Sequence, residues 1–119
     1  MAHMPPDSRF DTQLHQAQLD AARSKFVQTP WGEMALYLVG GQVLCAQAFC
    51  PHLEGPLFEG SLCEQVITCP WHQWRFDLRT GRRVDLAGRI LGGAHTLARC
   101  PVHIAADGRI WLEPPLQAS

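Results

Sequence analysis

Apolar residues along this 119-residue chain fall into short runs punctuated by glycine, and the two ends of the chain follow different periods. Over residues 5–24, PPDSRFDTQLHQAQLDAARS, Phe10, Leu14, Ala17 and Ala21 recur at helical spacing and mark one narrow apolar face. Ser8 with Asp11 fits a capping box just after two prolines, so this stretch predicts a short N-terminal helix. Its face is thin and alanine-rich, and such a helix must lean on the rest of the molecule. After Lys25 the texture becomes β-like. EMALYLV and QVLCAQAF flank Gly40-Gly41, the pattern of a hairpin closed by a two-residue turn. QVITC is a further β-rich run. Thr80-Gly81 and Asp107-Gly108 mark turns, the second leading into RIWLE. TLARCPVHI is strand-like, with Pro101 pointing to an edge or a bulge. The expected fold is all-β, a small antiparallel sandwich or barrel spanning residues 25–119, preceded by an N-terminal scar and helix over 1–24.

Composition narrows the class. With 46% hydrophobic and 18% charged residues the chain is globular. A net charge of −1 gives no long-range field to draw nucleic acid or an anionic membrane surface, so neither is an expected partner. No apolar run approaches the roughly 20 residues of a membrane-spanning helix, and no basic-then-apolar start suggests secretion. A cytoplasmic location is expected. MAHM reads as an expression scar ahead of a native Met4, which removes His3 from the chemistry. Five cysteines are an odd count in a reducing compartment, so metal ligation or buried thiols are expected rather than a disulfide framework.

The chemistry is concentrated in two boxes. CPWHQWRFD sets Cys69 three residues before His72, and CPHLEGPLFEG sets Cys50 two residues before His52. Sixteen residues separate His52 from Cys69. Extended residues at i and i+2 project to one side, and residues at i and i+3 can do so from a turn. Pro51 and Pro70 stiffen both segments, and Gly55, Pro56 and Gly60 let the chain bend after the first. Two loops closing over one inorganic centre follow. A single zinc ion accepts two Cys and two His, but its usual spacing leaves at least two residues within each ligand pair, commonly Cys-Cys then His-His. Here each loop pairs a Cys with a His. That order suits a [2Fe–2S] centre with thiolates on one iron and imidazoles on the other, because one loop can serve both irons.

These two boxes resemble the signature of Rieske iron–sulfur proteins, and the similarity spans roughly residues 25–115. The resemblance implies that Cys50 and Cys69 hold a buried iron while His52 and His72 hold the outer one of a single [2Fe–2S] cluster. It further implies that electrons pass by the histidine edge. Within the family, CPWHQWRFD resembles the soluble bacterial ferredoxins of aromatic-ring oxygenase systems, which implies a one-electron carrier between a flavin-dependent ferredoxin reductase and a terminal oxygenase. The 47 residues after His72 are too few for an oxygenase's own iron domain, so electron carriage rather than catalysis is expected. The respiratory branch carries an inter-loop disulfide, but its positions are Gly55 and Trp71 here. That branch's two sulfur-bonding hydroxyls are replaced by Trp74 and Phe76, which implies a potential at the low end of the family range, below zero. Gln73 stands where the family usually has glycine. Competing readings are a redox subunit of a nitrite-reductase-like enzyme, a cluster used as a sensor, and a structural zinc module that binds a protein.

Elsewhere the bland reading is preferred. Cys45, Cys63 and Cys100 are expected to be buried or half-buried thiols, and His95 and His103 structural histidines. His15 is placed on the solvated face of the helix. Trp71, Trp74 and Phe76 are expected to keep water off the centre and, with Leu53 and Pro56, to form an apolar rim around it. Arg75, Arg79, Arg82 and Arg83, like Glu54, Glu59 and Glu64, read as solvated charges able to orient docking.

Overall fold

A computed structural model describes residues 9–21, 23–52, 54–92 and 95–116. Among the described residues the ten strands β1 (Phe10–His15), β2 (Lys25–Thr29), β3 (Gly32–Val39), β4 (Gln42–Gln47), β5 (Ser61–Cys63), β6 (Val66–Thr68), β7 (Arg75–Asp77), β8 (Arg83–Val84), β9 (Val102–Ile104) and β10 (Arg109–Leu112) form three antiparallel sheets, in the orders β1-β10-β9, β2-β3-β4 and β5-β6-β7-β8. Three strands make the middle sheet: β2 (Lys25–Thr29), β3 (Gly32–Val39) and β4 (Gln42–Gln47). The expected hairpin is its centre. Val39 pairs with Gln42, and Gly40 and Gly41 close it at φ 56° and 80°. Two consecutive positive φ values make the tight turn whose twist matches the strands, and glycine takes them without strain.

MALYLV is continuously apolar because β3 is covered on both faces. Ala35, Tyr37 and Val39 point into a core shared with Ala46, Ala48, Leu57, Ile67, Phe76, Leu78 and Leu97. Met34 and Leu36 point the other way, into a core of Val27, Val43, Cys45, Cys100, Ile110 and Leu112. The first core lies under β5 (Ser61–Cys63), β6 (Val66–Thr68), β7 (Arg75–Asp77) and β8 (Arg83–Val84). Cys50 and Cys69 are part of it. The second is closed by β9 (Val102–Ile104) and β10 (Arg109–Leu112). Pro101 lies just before β9, where its missing N–H costs no ladder bond.

The N-terminal helix is not formed. Residues Phe10–His15 are β1, paired antiparallel with β10 through Phe10↔Leu112 and Asp11↔Trp111. Phe10 and Leu14 do share a face, packed on the second core. Their four-residue spacing fits a period of 2 as well as a helical one, so it could not discriminate. Ala17, the position that argued for the helix, is exposed in a short 3-10 turn over Gln16–Gln18. Pairing decides the matter. β10 needs a second neighbour, Thr12 Oγ1 donates to the Ile110 carbonyl at 2.7 Å, and Arg109 Nε meets Asp11 at 2.8 Å. His15 ends the strand, its ring against the Asp107 carbonyl. Ser8, the expected cap, lies outside the described residues. No helix among the described residues is long and apolar enough to cross a membrane.

Candidate metal centre

Both boxes fold into loops of one design. In the first, the Cys50 N–H donates to the Gly55 carbonyl at 2.8 Å and the Glu54 N–H donates back to the Cys50 carbonyl at 2.8 Å. In the second, Cys69 N–H donates to Trp74 O at 2.8 Å and Gln73 N–H to Cys69 O at 3.0 Å. Each cysteine thus opens a six-residue loop, Cys50–Gly55 and Cys69–Trp74, closed by the same two hydrogen bonds. The fourth residue after each cysteine turns left-handed, Glu54 at φ 57° and Gln73 at φ 63°. The first loop hangs from β4 of the middle sheet and the second joins β6 to β7 of the four-stranded sheet, so the first core packed between those sheets sets their separation.

Thiols and imidazoles segregate by depth. Cys50 and Cys69 are 1% and 0% exposed, whereas His72 is half-buried and His52 exposed. Cys50, Cys69 and His72 bring one ligand atom each to within 4.8 Å of one another. Cys69 Sγ is 3.6 Å from His72 Nε2, and His72 Nδ1 is buried with no partner in the protein. A buried imidazole nitrogen without a partner is costly unless an external group completes it. None of the five cysteines is in a disulfide. Two buried thiols converging with an imidazole, one of whose ring nitrogens has no protein partner, therefore fit a metal centre.

His52 stands beside this convergence rather than in it. Its ring is 5.1 Å from that of His72 and stacks on Trp74, with centroids 3.9 Å apart and planes within 5°. The four donors of a single tetrahedral zinc must lie within about 4 Å of one another, given bonds of ~2.0–2.3 Å. A two-iron centre makes no such demand, since its imidazoles serve a different iron from its thiolates. Partial desolvation, reinforced by the His72 and His95 rings and by Arg83, holds the His52 imidazole below its ordinary pKa. That favours the neutral ring, the form that ligates.

The surroundings differ in part from the sequence reading. Phe76 is buried and Trp74 half-buried, as a water-excluding wall requires, but Trp71 is 65% exposed. Trp71 lies over Gly55, where an added Cβ would come within 3.0 Å of its ring and 3.1 Å of the Cys69 sulfur. An indole on a bare backbone thus occupies the positions of the respiratory branch's disulfide. Leu53 lies outside the described residues; Pro56 is half-buried. His95, read as merely structural, comes within 5.5 Å of the His52 ring and 5.2 Å of Trp74. No motif signals it, because it arrives from a separate segment. Cys45 and Cys100 are buried as expected, and the hydrogen bond between their side chains, with burial, pushes the Cys45 thiol up. Cys63 is exposed, at the end of β5 where the chain turns.

A small all-β scaffold holding two buried thiols below two outer imidazoles defines a mixed thiolate–imidazole metal-centre protein. The chain belongs to the Rieske [2Fe–2S] domain family, whose sequence profile matches residues 11–90, and its cofactor is a [2Fe–2S] cluster. It is 42% identical over 57 residues to the ferredoxin component of the p-cumate 2,3-dioxygenase system of Pseudomonas putida, a match covering 46% of this chain and 48% of that protein. It is 31% identical over 84 residues to apoptosis-inducing factor 3 of Mus musculus, covering 71% of this chain and 14% of that one. The chain thus spans less than half the length of these relatives. In fold it is similar to the ferredoxin of carbazole 1,9a-dioxygenase from Nocardioides aromaticivorans IC177, with a TM-score of 0.75 at 22% identity over 89% of this chain and 97% of that one.

Proposed function

We propose that this protein is a one-electron carrier that takes electrons from a flavin-dependent ferredoxin reductase and delivers them to a terminal oxygenase. In this reading Cys50 and Cys69 hold the inner iron, and His52 and His72 the outer one. The observation that carries it is the gradient across the site, from fully buried thiols to an exposed imidazole. The cluster supplies a site that gains and loses one electron without bond rearrangement. The protein's part is to fix, insulate and orient. Neutral imidazoles in place of two thiolates remove negative charge, which places such centres at about −150 to +300 mV rather than near −400 mV. The Cys50 and Cys69 side chains sit in the apolar core, where water has no path to the sulfur side. His52 faces solvent and offers the short exit that a partner can approach. The partners are argued from the p-cumate relative, which is the ferredoxin component of a dioxygenase system. In this reading substrate chemistry belongs to the partner.

Iron and acid-labile sulfide content, with an EPR spectrum of the dithionite-reduced protein, test the ligand assignment. Equal iron and sulfide with a rhombic Rieske-type signal, lost in His72→Ala, is the expected result. Stoichiometric zinc without a signal would overturn it. Reduction by an NADH-linked flavin reductase, followed by reoxidation on adding a terminal oxygenase, tests the direction of flow.

A further inference from the structure

Outside the ligand set, the arrangement that most asks for an explanation is a cation with no counter-ion beside the histidine edge. The Arg83 guanidinium carbon lies 3.4 Å from the centroid of the Trp74 ring. His52 lies 3.9 Å from that ring, nearly parallel to it. Two groups this close to one ring centroid would interpenetrate if they shared a face, so they occupy opposite faces. Imidazole, indole and guanidinium therefore form a three-layer stack. The sheet builds it: Phe76 pairs with Arg83 across β7 and β8, and Trp74 precedes Phe76 by two residues on the same face. Arg83 is thus the diagonal cross-strand neighbour of Trp74.

The charge in this stack is uncompensated. Among the described residues the ion pairs join Arg9, Arg89 and Arg109 to carboxylates, and none includes Arg83. Arg83 Nε is buried without a hydrogen-bond partner. A cation held against an indole face in a partly desolvated place is screened less than one on a mobile surface side chain. Reduction adds a negative charge to the centre that His52 would ligate, and a fixed positive charge two layers away stabilises that state more than the oxidised one.

Resting on the carrier reading above, we infer that Arg83 is a positioning residue that tunes the centre. Its guanidinium holds Trp74 against His52, and its charge raises the reduction potential of the cluster. It thereby offsets part of the lowering expected from the missing hydroxyls at Trp74 and Phe76.

The test is the midpoint potential, measured by voltammetry on the holoprotein and on Arg83→Gln and Arg83→Lys. Iron and sulfide contents are measured on all three. The Gln variant should keep its cluster and be harder to reduce. At a fixed poise its ratio of reduced to oxidised protein should fall about three- to tenfold, where tenfold corresponds to 59 mV for one electron. Arg83→Lys keeps the charge and should show less than half of that shift. If Arg83→Gln does not load iron, Arg83→Met of similar length and no charge should show the same fall. An unchanged potential in a fully loaded neutral variant would overturn the proposal, as would equal shifts in the Lys and neutral variants. Wild-type protein with no Rieske-type signal would instead overturn the carrier reading itself.

Discussion

Gln73 carries a side chain at φ 63°, in the left-handed region where glycine is the low-cost residue. The departure from the family's usual glycine therefore leaves the turn itself intact, and its consequence is energetic. Replacing Gln73 by Gly should raise the stability of the loaded protein by about 0.5–1 kcal/mol, the strain relieved exceeding the extra chain entropy. Glu54→Gly in the first loop, at φ 57°, should act in the same direction. Urea unfolding followed by the loss of cluster absorbance reads both, and a lower midpoint in each would show that the side chains hold the loops in some other way. Gly60 gives the opposite case at an ordinary φ of −77°. A Cβ there would lie 1.9 Å from the Thr68 carbonyl oxygen, a backbone atom of β6. Gly60→Ala should therefore cost about 2–4 kcal/mol, the range of severe core disruptions, because the first loop must move away from the strand that leads into the second. A thermal midpoint within a few degrees of wild type would contradict this.

Among elements, β1 decides how the molecule is bounded. It is the outer strand of the β1-β10-β9 sheet, and Phe10 and Leu14 help cover the second core. Deleting residues 1–15 should therefore lower stability by about 2–4 kcal/mol, from two half-buried apolar side chains and an unpaired face of β10. An appended helix would be lost at little cost, so an unchanged urea midpoint would restore that picture. The middle hairpin was legible because two adjacent glycines between β-rich runs permit few alternatives. β1 was not, because a four-residue spacing serves two periods and the partner that settles it lies nearly a hundred residues away. The same limit hid the stack. Arg82 and Arg83 are equivalent in the sequence, yet Arg82 stands just before β8 and Arg83 is its first residue. Arg82 is exposed while Arg83 lies over Trp74, and only the register of β7 on β8 separates them.

At the scale of the whole molecule, the site was legible where chemistry restricts residue types and illegible where mere proximity assembles it. Thiols and imidazoles at two short spacings have few other uses, so the four candidate ligands stand out in the sequence. His95 carries no such mark. Trp71 shows the consequence for function. Read both as part of a water-excluding wall and as part of an apolar rim, it is largely exposed, as a rim residue would be, and sits on Gly55 near the Cys69 sulfur. A ring so exposed, next in sequence to His72, is open to a partner that docks at the histidine edge. Large aromatic side chains at the centre of an interface commonly carry much of its energy. Trp71→Ala should therefore leave the stability of the loaded protein within about 1 kcal/mol of wild type, as for an exposed position. It should leave the potential unchanged as well, while slowing reduction by the flavin reductase proposed above severalfold. That defect should persist at high salt because apolar contact is not screened, whereas reversing the exposed Arg82 should slow the reaction at low salt alone. Stopped-flow reduction at two ionic strengths, beside voltammetry, separates the cases. A shifted potential with an unchanged rate would make Trp71 part of the insulation rather than of the docking face.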